Sequence, residues 1–141
     1  MSLQETEAFF ARYCDSFNAG NGDAVADLWL TPSMITDSRE GVARVTLWND
    51  DASLRANMHA LCDVYRNAGE HRWSFEMLDH VALGANHAFA QIGWTMHRHD
   101  GEVMQRFATG YQLMRTAAGP RALMCTAYQE DFSELKPHAA Q

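Results

Sequence analysis

The sequence predicts an α+β fold in which three N-terminal helices pack on a mixed or antiparallel sheet of about six strands. Two observations carry this prediction. Up to residue 67, apolar residues recur at the 3–4 spacing of helices that bury one face. From residue 72 onward, the pattern changes to long strand-like runs separated by turn sequences. The length of 141 residues fits a single domain over residues 1–141.

The first predicted helix spans residues 3–18. Its aromatic side chains follow the spacing of one buried stripe. They are Phe9, Phe10, Tyr13 and Phe17. The run AGNG at residues 19–22 ends the helix, because Gly and Asn tolerate the left-handed conformation of helix ends.

A short second helix is predicted over residues 23–30, with Asp23 as its cap and Pro32 as its end. Extended segments follow at residues 33–37 and 42–48. The second of these, VARVTLW, has the β-branched and aromatic composition of a strand.

The third predicted helix spans residues 51–67, after the capping sequence NDDAS. Its apolar side chains again lie on one face. They are Leu54, Met58, Leu61 and Tyr65.

Four strand-like runs occupy the second half of the chain, at residues 72–83, 87–99, 102–116 and 121–132. The sequences GAN, DG and AAGP separate them and are typical of turns. Consecutive strands joined in this way form an antiparallel meander. We expect residues 133–141 to form a flexible tail.

Both alternating sets of residues on this meander include apolar side chains, so both faces of the sheet require cover. We assign to the outer face Ile92, Trp94, Phe107, Tyr111 and Leu113. We assign to the concave face Gln91, Gln112, Met124, Thr126 and Tyr128. A second copy of the chain would cover the outer face, which predicts a homodimer. The alternative is a monomer with scattered exposed apolar residues.

Composition excludes several classes of function. A formal charge of −7 argues against nucleic acid as a partner. The N-terminal sequence lacks the pattern of a signal peptide, and no apolar run is long enough to span a membrane. Three widely spaced cysteines suit a reducing, cytoplasmic location rather than a disulfide framework or a zinc site. No phosphate-binding loop is present, and we expect neither a cofactor nor a metal.

Two local sequences carry a family resemblance. ARYCDSFNAGNGDAVADLW, at residues 11–29, and MITDS, at residues 34–38, resemble the opening helices and first strand of the nuclear transport factor 2-like (NTF2-like) superfamily. That superfamily includes ketosteroid isomerase, scytalone dehydratase and the SnoaL-like polyketide cyclases. The order of elements agrees over residues 3–132. The resemblance implies a cone-shaped fold, in which the sheet wraps around the first and third helices and leaves a deep pocket.

The resemblance also implies catalytic candidates. Asp37 shares one side of its strand with Ile35, and it occupies the place of the base carboxylate of ketosteroid isomerase. Tyr13 matches the tyrosine that donates a proton to the enolate oxygen. Together they would suit proton abstraction next to a carbonyl, as in isomerisation, cyclisation or dehydration. The second acid of the isomerase falls near Gly110, so that constellation is incomplete.

His97 is a further candidate, as the acid–base partner of Asp37 in the manner of scytalone dehydratase. With His99 it also forms an H-x-H pair that could bind zinc, although no third ligand is visible. The alternative is a pair of solvated histidines at a hairpin tip.

The expected pocket lining combines inward residues of the helices with the concave set of the sheet. It comprises Phe9, Phe17, Trp29, Met58, Leu61, Gln91, Gln112, Met124, Thr126 and Tyr128. Three functions remain open at this point: an isomerase- or lyase-type enzyme acting on a small apolar or aromatic molecule, a non-catalytic ligand-binding module, and a dimerisation module.

Overall fold

A computed structural model describes residues 1–128, 132–135 and 137–138 of the chain. The helices and strands follow in the order α1 Leu3–Asn18, α2 Gly22–Ala26, β1 Trp29–Arg39, β2 Val42–Trp48, α3 Asp51–Asn67, β3 Arg72–Leu83, β4 His87–His97, β5 Val103–Thr116 and β6 Gly119–Ala127. A 3₁₀ helix, Phe132–Leu135, follows β6.

The six strands form one mixed sheet in the order β2-β1-β6-β5-β4-β3. The meander from β3 to β6 is antiparallel throughout. The first hairpin, β1–β2, is also antiparallel, and β1 pairs with β6 in parallel. The predicted α+β class with a six-stranded mixed sheet is therefore confirmed.

Polar side chains cap each helix at its N-terminus. Ser2, Asn21 and Asp50 each accept a hydrogen bond from a backbone N–H of the first turn. These bonds satisfy donors that have no partner within the helix. The predicted bounds of α1 and α3 agree with the structure. The description of three N-terminal helices is only partly correct, because α3 follows the first hairpin and α2 has only five residues.

The predicted second helix, residues 23–30, is wrong in its second half. The helix ends at Ala26, and Trp29 already belongs to β1. Backbone pairing with β6 overrides the local helical pattern, because the Leu28 carbonyl accepts a hydrogen bond from the Ala122 N–H at 2.9 Å. Pro32 therefore lies inside β1, at an irregularity in its pairing with β6 where no ladder donor is required.

The two faces of the sheet are the reverse of the prediction. The set assigned to the outer face is buried on the inner face, against α1. Ile92 and Leu113 are fully buried, and the ring of Tyr111 lies 4.9 Å from that of Phe10. The faces are arranged in this way because the aromatic stripe of α1 packs on the more apolar of the two alternating sets, which removes both from water.

Part of the predicted tail packs against the body of the protein. Leu135 and His138 are buried. The Arg98 guanidinium donates a hydrogen bond to Nδ1 of His138 at 3.0 Å. Residues 136 and 139–141 lie outside the described residues. Within the described part of the chain, none of the helices has the length and apolar character that crossing a bilayer requires.

Candidate functional site

A cavity of about 90 Å³ lies between α1, α3 and the inner face of the sheet. Its volume is below the roughly 300–1,000 Å³ of pockets for drug-sized ligands, so it suits a small molecule. The helices contribute six lining residues: Tyr13, Phe17, Asn57, Met58, Leu61 and Tyr65.

The sheet forms the remaining wall of the cavity. Trp29 and Ile35 come from β1, and Cys125 and Ala127 from β6. The other strands contribute four rings, those of Trp73, Trp94, Phe107 and Tyr111, and the side chain of Thr109. Eight of the fifteen lining residues are aromatic, so the wall is apolar in area and carries few polar atoms.

Several of those polar atoms lie together in a group that we call the hydroxyl cluster: Tyr13, Trp29, Trp94, Thr109 and Tyr111. The indole of Trp29 donates to the Tyr13 hydroxyl at 3.3 Å. The indole of Trp94 donates to Oγ1 of Thr109 at 2.9 Å. The Tyr111 hydroxyl lies beside both pairs, close enough to Thr109 and Tyr13 for both to affect its pKa.

Burial keeps the Tyr111 phenol neutral. Desolvation raises the pKa of Tyr111 well above its ordinary value of 10.0, and the neighbouring Tyr13 raises it further, against a smaller opposing effect of the hydrogen bond with Thr109. A phenol that does not ionise remains a hydrogen-bond donor and acceptor at physiological pH. The hydroxyl cluster can therefore orient an oxygen atom of a bound molecule.

Five of the lining rings contact one another in a closed loop, which we call the ring circuit: Phe17, Tyr65, Trp73, Trp94 and Tyr13. Successive ring centroids lie 4.8–6.2 Å apart. Four of the five contacts are edge-to-face, with interplanar angles of 64–84°, and the fifth is tilted at 41°. Near-perpendicular contacts are a preferred packing geometry of aromatic rings, and all five of these residues line the cavity.

Asn18 fixes the position of Trp73 within the ring circuit. Its side-chain oxygen accepts a hydrogen bond from the Trp73 N–H at 2.7 Å, and its amide donates to the Trp73 carbonyl at 3.1 Å. The Cys14 thiol donates to the same carbonyl at 3.4 Å. The end of α1 is thus joined to the start of β3 at the point where both contribute to the cavity wall.

The residues predicted from helix periodicity lie on the cavity wall. Tyr13, Phe17, Met58 and Leu61 all line it, as does Trp29. Phe9 is fully buried in the core and is absent from the lining. The structure thus brings most of the helix-borne candidates together, and their part in ligand binding stays a prediction.

The residues predicted from the sheet do not line the cavity, because the faces were assigned in reverse. They are Gln91, Gln112, Met124, Thr126 and Tyr128. Their side chains alternate with those of the lining residues and belong to the opposite face of the sheet. There the amide of Gln91 is hydrogen-bonded to the hydroxyl of Tyr128, and Oγ1 of Thr36 to that of Thr126.

Asp37 lies at the rim of the cavity rather than in its wall. In the parallel ladder it pairs with Ala127, which lines the cavity. Its side chain is 35% exposed and forms an ion pair with Arg39 at 3.3 Å. The strand geometry therefore places a solvated carboxylate beside the cavity and not within it.

His97 is half-buried at the end of β4 and does not line the cavity. His99 is exposed, 3.6 Å from Glu70. Among residues 1–128, 132–135 and 137–138, no group of three or more His, Cys, Asp and Glu side chains is placed to hold a metal ion.

The sequence analysis missed ten lining residues, and a signal existed for some of those on the sheet. Between the two alternating sets on β4, the one with Ile92 and Trp94 is more apolar than the one with Gln91 and His97. An antiparallel sheet turns its more apolar set toward the core. Applied here, that rule selects Trp94, and on β5 it selects Phe107 and Tyr111.

Comparisons with known proteins identify the fold. A family model described as "NTF2-like protein (DUF6841)" matches residues 4–131. None of the curated protein sequences compared matches the chain.

Solved structures resemble the chain over most of its length. An NTF2-like protein with a cystatin-like fold from Novosphingobium aromaticivorans is 21% identical, with a TM-score of 0.69, over 98% of this chain and 88% of that one. An NTF-2 like protein from Shewanella oneidensis is 14% identical, with a TM-score of 0.70, over 92% and 100% of the two chains. A ketosteroid isomerase-like protein from Erwinia carotovora atroseptica is 16% identical, with a TM-score of 0.62, over 92% and 96%. At these identities the likeness shows the fold alone.

Proposed function

The chain belongs to the NTF2-like family DUF6841, which confirms the predicted NTF2-like superfamily. On that premise we propose that it binds a small, largely apolar molecule bearing one oxygen atom in the cavity. The observation that carries the proposal is the hydroxyl cluster, a buried group of polar side chains on an otherwise apolar wall. Ligand sites typically combine an apolar lining with a few convergent polar groups.

The charge of the lining favours binding over catalysis as the leading function. No Asp, Glu, Lys, Arg or His side chain belongs to the described lining. General acid–base chemistry near neutral pH most often uses His, Asp, Glu or Lys within hydrogen-bond reach of the reacting proton. The phenols of Tyr13 and Tyr111 can hold an oxygen atom in place by hydrogen bonding alone.

Binding can be tested with a panel of small probes in a calorimetric or NMR titration: phenol, cyclohexanol, choline and 3,3-dimethylbutan-1-ol. We expect at least one of them to bind, and we expect Ala127→Phe, which places a ring in the wall, to abolish that binding. The control is Ala43→Phe on exposed β2. A panel in which no probe binds the wild-type protein, or in which Ala127→Phe binds all probes as well as the wild type does, would contradict the proposal.

The oxygen-binding role of the hydroxyl cluster has its own test. Tyr111→Phe removes one hydroxyl and keeps the ring, so we expect the affinity for a bound probe alcohol to fall about tenfold, the equivalent of one hydrogen bond. Tyr128→Phe, on the outer face, is the matched control and should leave the affinity unchanged.

A second candidate function is proton abstraction, with Asp37 as base and Tyr13 as hydrogen-bond donor. The pairing of Asp37 with Ala127 favours it, because it places a carboxylate next to the cavity. His97, the predicted partner of Asp37, is the third residue in this hypothesis. Deuterium exchange of the α-protons of a cyclic ketone, followed by NMR in D₂O, would detect the reaction. Exchange that is accelerated by the wild type and lost in Asp37→Asn supports it, and equal exchange rates contradict it.

We further propose a homodimer formed through the outer sheet face and a cytoplasmic location. Exposed apolar side chains on that face support the dimer, among them Leu78, Phe89 and Tyr128, each 36–48% exposed. Three buried free thiols support a reducing compartment. Light scattering of the wild type and of Phe89→Asp distinguishes a dimer that the substitution dissociates from a monomer that it leaves unchanged.

A further inference from the structure

The ring circuit leads us to infer that the ligand of the cavity carries a small quaternary or tertiary alkylammonium group, a conclusion that rests on the proposed binding function. An alkylammonium cation is attracted to the negative faces of aromatic rings. Its outer surface consists of methyl or methylene groups, so it also satisfies the requirement for an apolar ligand. A bound hydroxyl or carbonyl oxygen on the same molecule would meet the hydroxyl cluster.

The shape of the ring circuit favours a rounded head group over a flat ring. A planar ligand needs two nearly parallel walls between which it can stack. Successive rings of the circuit are inclined by 41–84°, so no two neighbours form such a slot. Rings that are inclined to one another can contact a tetrahedral ammonium group on several sides.

The electrostatic setting permits a cation and disfavours an anion. Among the described residues that line the cavity, none is a Lys, Arg or His that would repel an ammonium group. The chain has a formal charge of −7, which raises the local concentration of small cations. The neutral phenol of Tyr111 leaves the cavity without a formal charge, so the ring faces and hydroxyl oxygens are the groups that a cation would meet.

The desolvation cost selects among cations. A primary ammonium holds its hydration through three N–H donors, and burying it without three acceptors is costly. A quaternary ammonium has no N–H group and gives up its water more readily. Each cation–ring contact contributes an affinity gain of about twofold to fivefold at an exposed site and about thirtyfold in a desolvated one.

A pair of probes of equal shape tests the charge. Choline and 3,3-dimethylbutan-1-ol differ by one nitrogen in place of one carbon, so their size and hydroxyl group are the same. In calorimetric titrations of the wild-type protein, we expect choline to bind at least about tenfold more tightly than the neutral alcohol. Equal or weaker binding of choline overturns the inference and leaves the proposed function standing.

A variant of the ring circuit locates the effect. Trp73 is 4% exposed, and its Nε1 has no hydrogen-bond partner among the described residues. Trp73→Phe therefore weakens the ring's attraction for a cation without removing a hydrogen bond. We expect choline affinity to fall about threefold to tenfold and the affinity of the neutral alcohol to change less than twofold.

Trp48→Phe is the matched control. Trp48 lies outside the cavity lining, and its Nε1 likewise has no partner among the described residues. We expect its affinity for choline to equal that of the wild type. The inference is wrong if both substitutions lower the affinity for choline equally, or if Trp73→Phe lowers the affinity for both probes equally.

Two further measurements separate cavity binding from attraction to the acidic surface. Surface binding of choline would be lost in 0.5 M NaCl, whereas binding inside the ring circuit should persist because salt screens buried sites poorly. Ala127→Phe should abolish choline binding. Choline binding that disappears in salt or survives Ala127→Phe overturns the inference, and it does so even where Trp73→Phe fails to fold. The failure of every probe to bind would instead contradict the proposed function itself.

Discussion

On β5, Tyr111 and Leu113 point toward α1, whereas Gly110 and Gln112, which alternate with them, belong to the opposite face. The inner side chains are 0–3% exposed and pack among aromatic rings. On the outer face, the ring of Phe89 lies over Gly110, where an added Cβ would be only 3.1 Å from that ring. One strand thus supplies a packed, dry wall on one side and a shallow, partly solvated surface on the other.

Because of this difference, the loss of a hydrogen bond or of an apolar contact should lower the stability of the fold by different amounts on the two faces. A polar group that loses its partner on the inner face has no water to replace it. The same loss on the outer face is compensated by solvent. The two faces should therefore respond to the same substitution by very different amounts, and leucine and tyrosine occur on both.

The largest expected contrast is between two leucines. Leu113 is fully buried on the inner face, and Leu78 is 48% exposed on the outer face. We expect Leu113→Ala to lower the free energy of unfolding by about 2–5 kcal/mol, because it leaves a cavity in the core. Leu78→Ala should cost about 1 kcal/mol or less. Urea denaturation of both variants measures the contrast, and equal losses would refute the assignment of faces.

The outcome for Leu78 also bears on the proposed dimer. If the outer face is covered by a second copy of the chain, the cost of Leu78→Ala should grow with protein concentration, since folding and association are then linked. A cost that is independent of concentration indicates a solvated outer face.

The next contrast is between two tyrosines. Tyr111→Phe removes a buried hydroxyl that lies beside Tyr13 and Thr109, and we expect a loss of about 1–3 kcal/mol. Tyr128→Phe removes a hydroxyl that is bonded to Gln91 on a side chain that is 38% exposed, and we expect a loss below about 1 kcal/mol. Thermal and urea unfolding should rank the two variants in this order. The reverse order would mean that the hydroxyl cluster does not stabilise the fold.

The faces were the part of the fold that sequence reasoning failed to predict. The bounds of α1, α3 and β3 follow from periodicity and from clear breaks, and these predictions are confirmed. Alternation on a strand divides its residues into two sets, but it does not say which set meets the helices. The set that meets the helices can be identified only by comparing the polarity of the two sets. Because both sets contain apolar residues, this difference in polarity was overlooked.

The same reason explains which site residues could be predicted. Phe17, Met58 and Leu61 could be predicted because they lie on helices with one apolar stripe, and that stripe must face the core. Trp73 and Trp94 lie on strands and required the correct face. The prediction of the second helix was wrong for another reason. Leu28 and Trp29 pair with β6, about 90 positions away, and a local sequence pattern carries no information about such a distant partner.

A pH series sharpens the contrast between the tyrosines. Burial raises the pKa of Tyr111 in the folded state above the ordinary value of about 10. Its neutral form therefore contributes stability that is fully present below pH 10 and is lost as the pH rises from 10 toward the folded-state pKa. The loss amounts to about 1.4 kcal/mol per pH unit for one proton.

Denaturation of the wild type and Tyr111→Phe at several values between pH 8 and 11 measures this effect. We expect the difference in stability between the two proteins to be constant up to about pH 10 and to narrow above it. Tyr128→Phe serves as the comparison for unspecific alkaline effects. A difference that stays constant to pH 11 would show that Tyr111 titrates as a solvated phenol.

The smallest expected effect concerns Asp37, which belongs by alternation to the same side of β1 as the cavity-lining Ile35 and yet is solvated. Because its ion pair with Arg39 is exposed, Asp37→Asn should change the free energy of unfolding by about 0.5 kcal/mol or less. Arg39→Gln should give a change of the same size, and raising the salt concentration should diminish both. A loss of several kcal/mol in Asp37→Asn alone would mean that the carboxylate accepts hydrogen bonds in a buried position rather than lying exposed at the rim of the cavity. In that case the dry inner face would extend to Asp37, and proton abstraction would become the stronger of the two proposed functions.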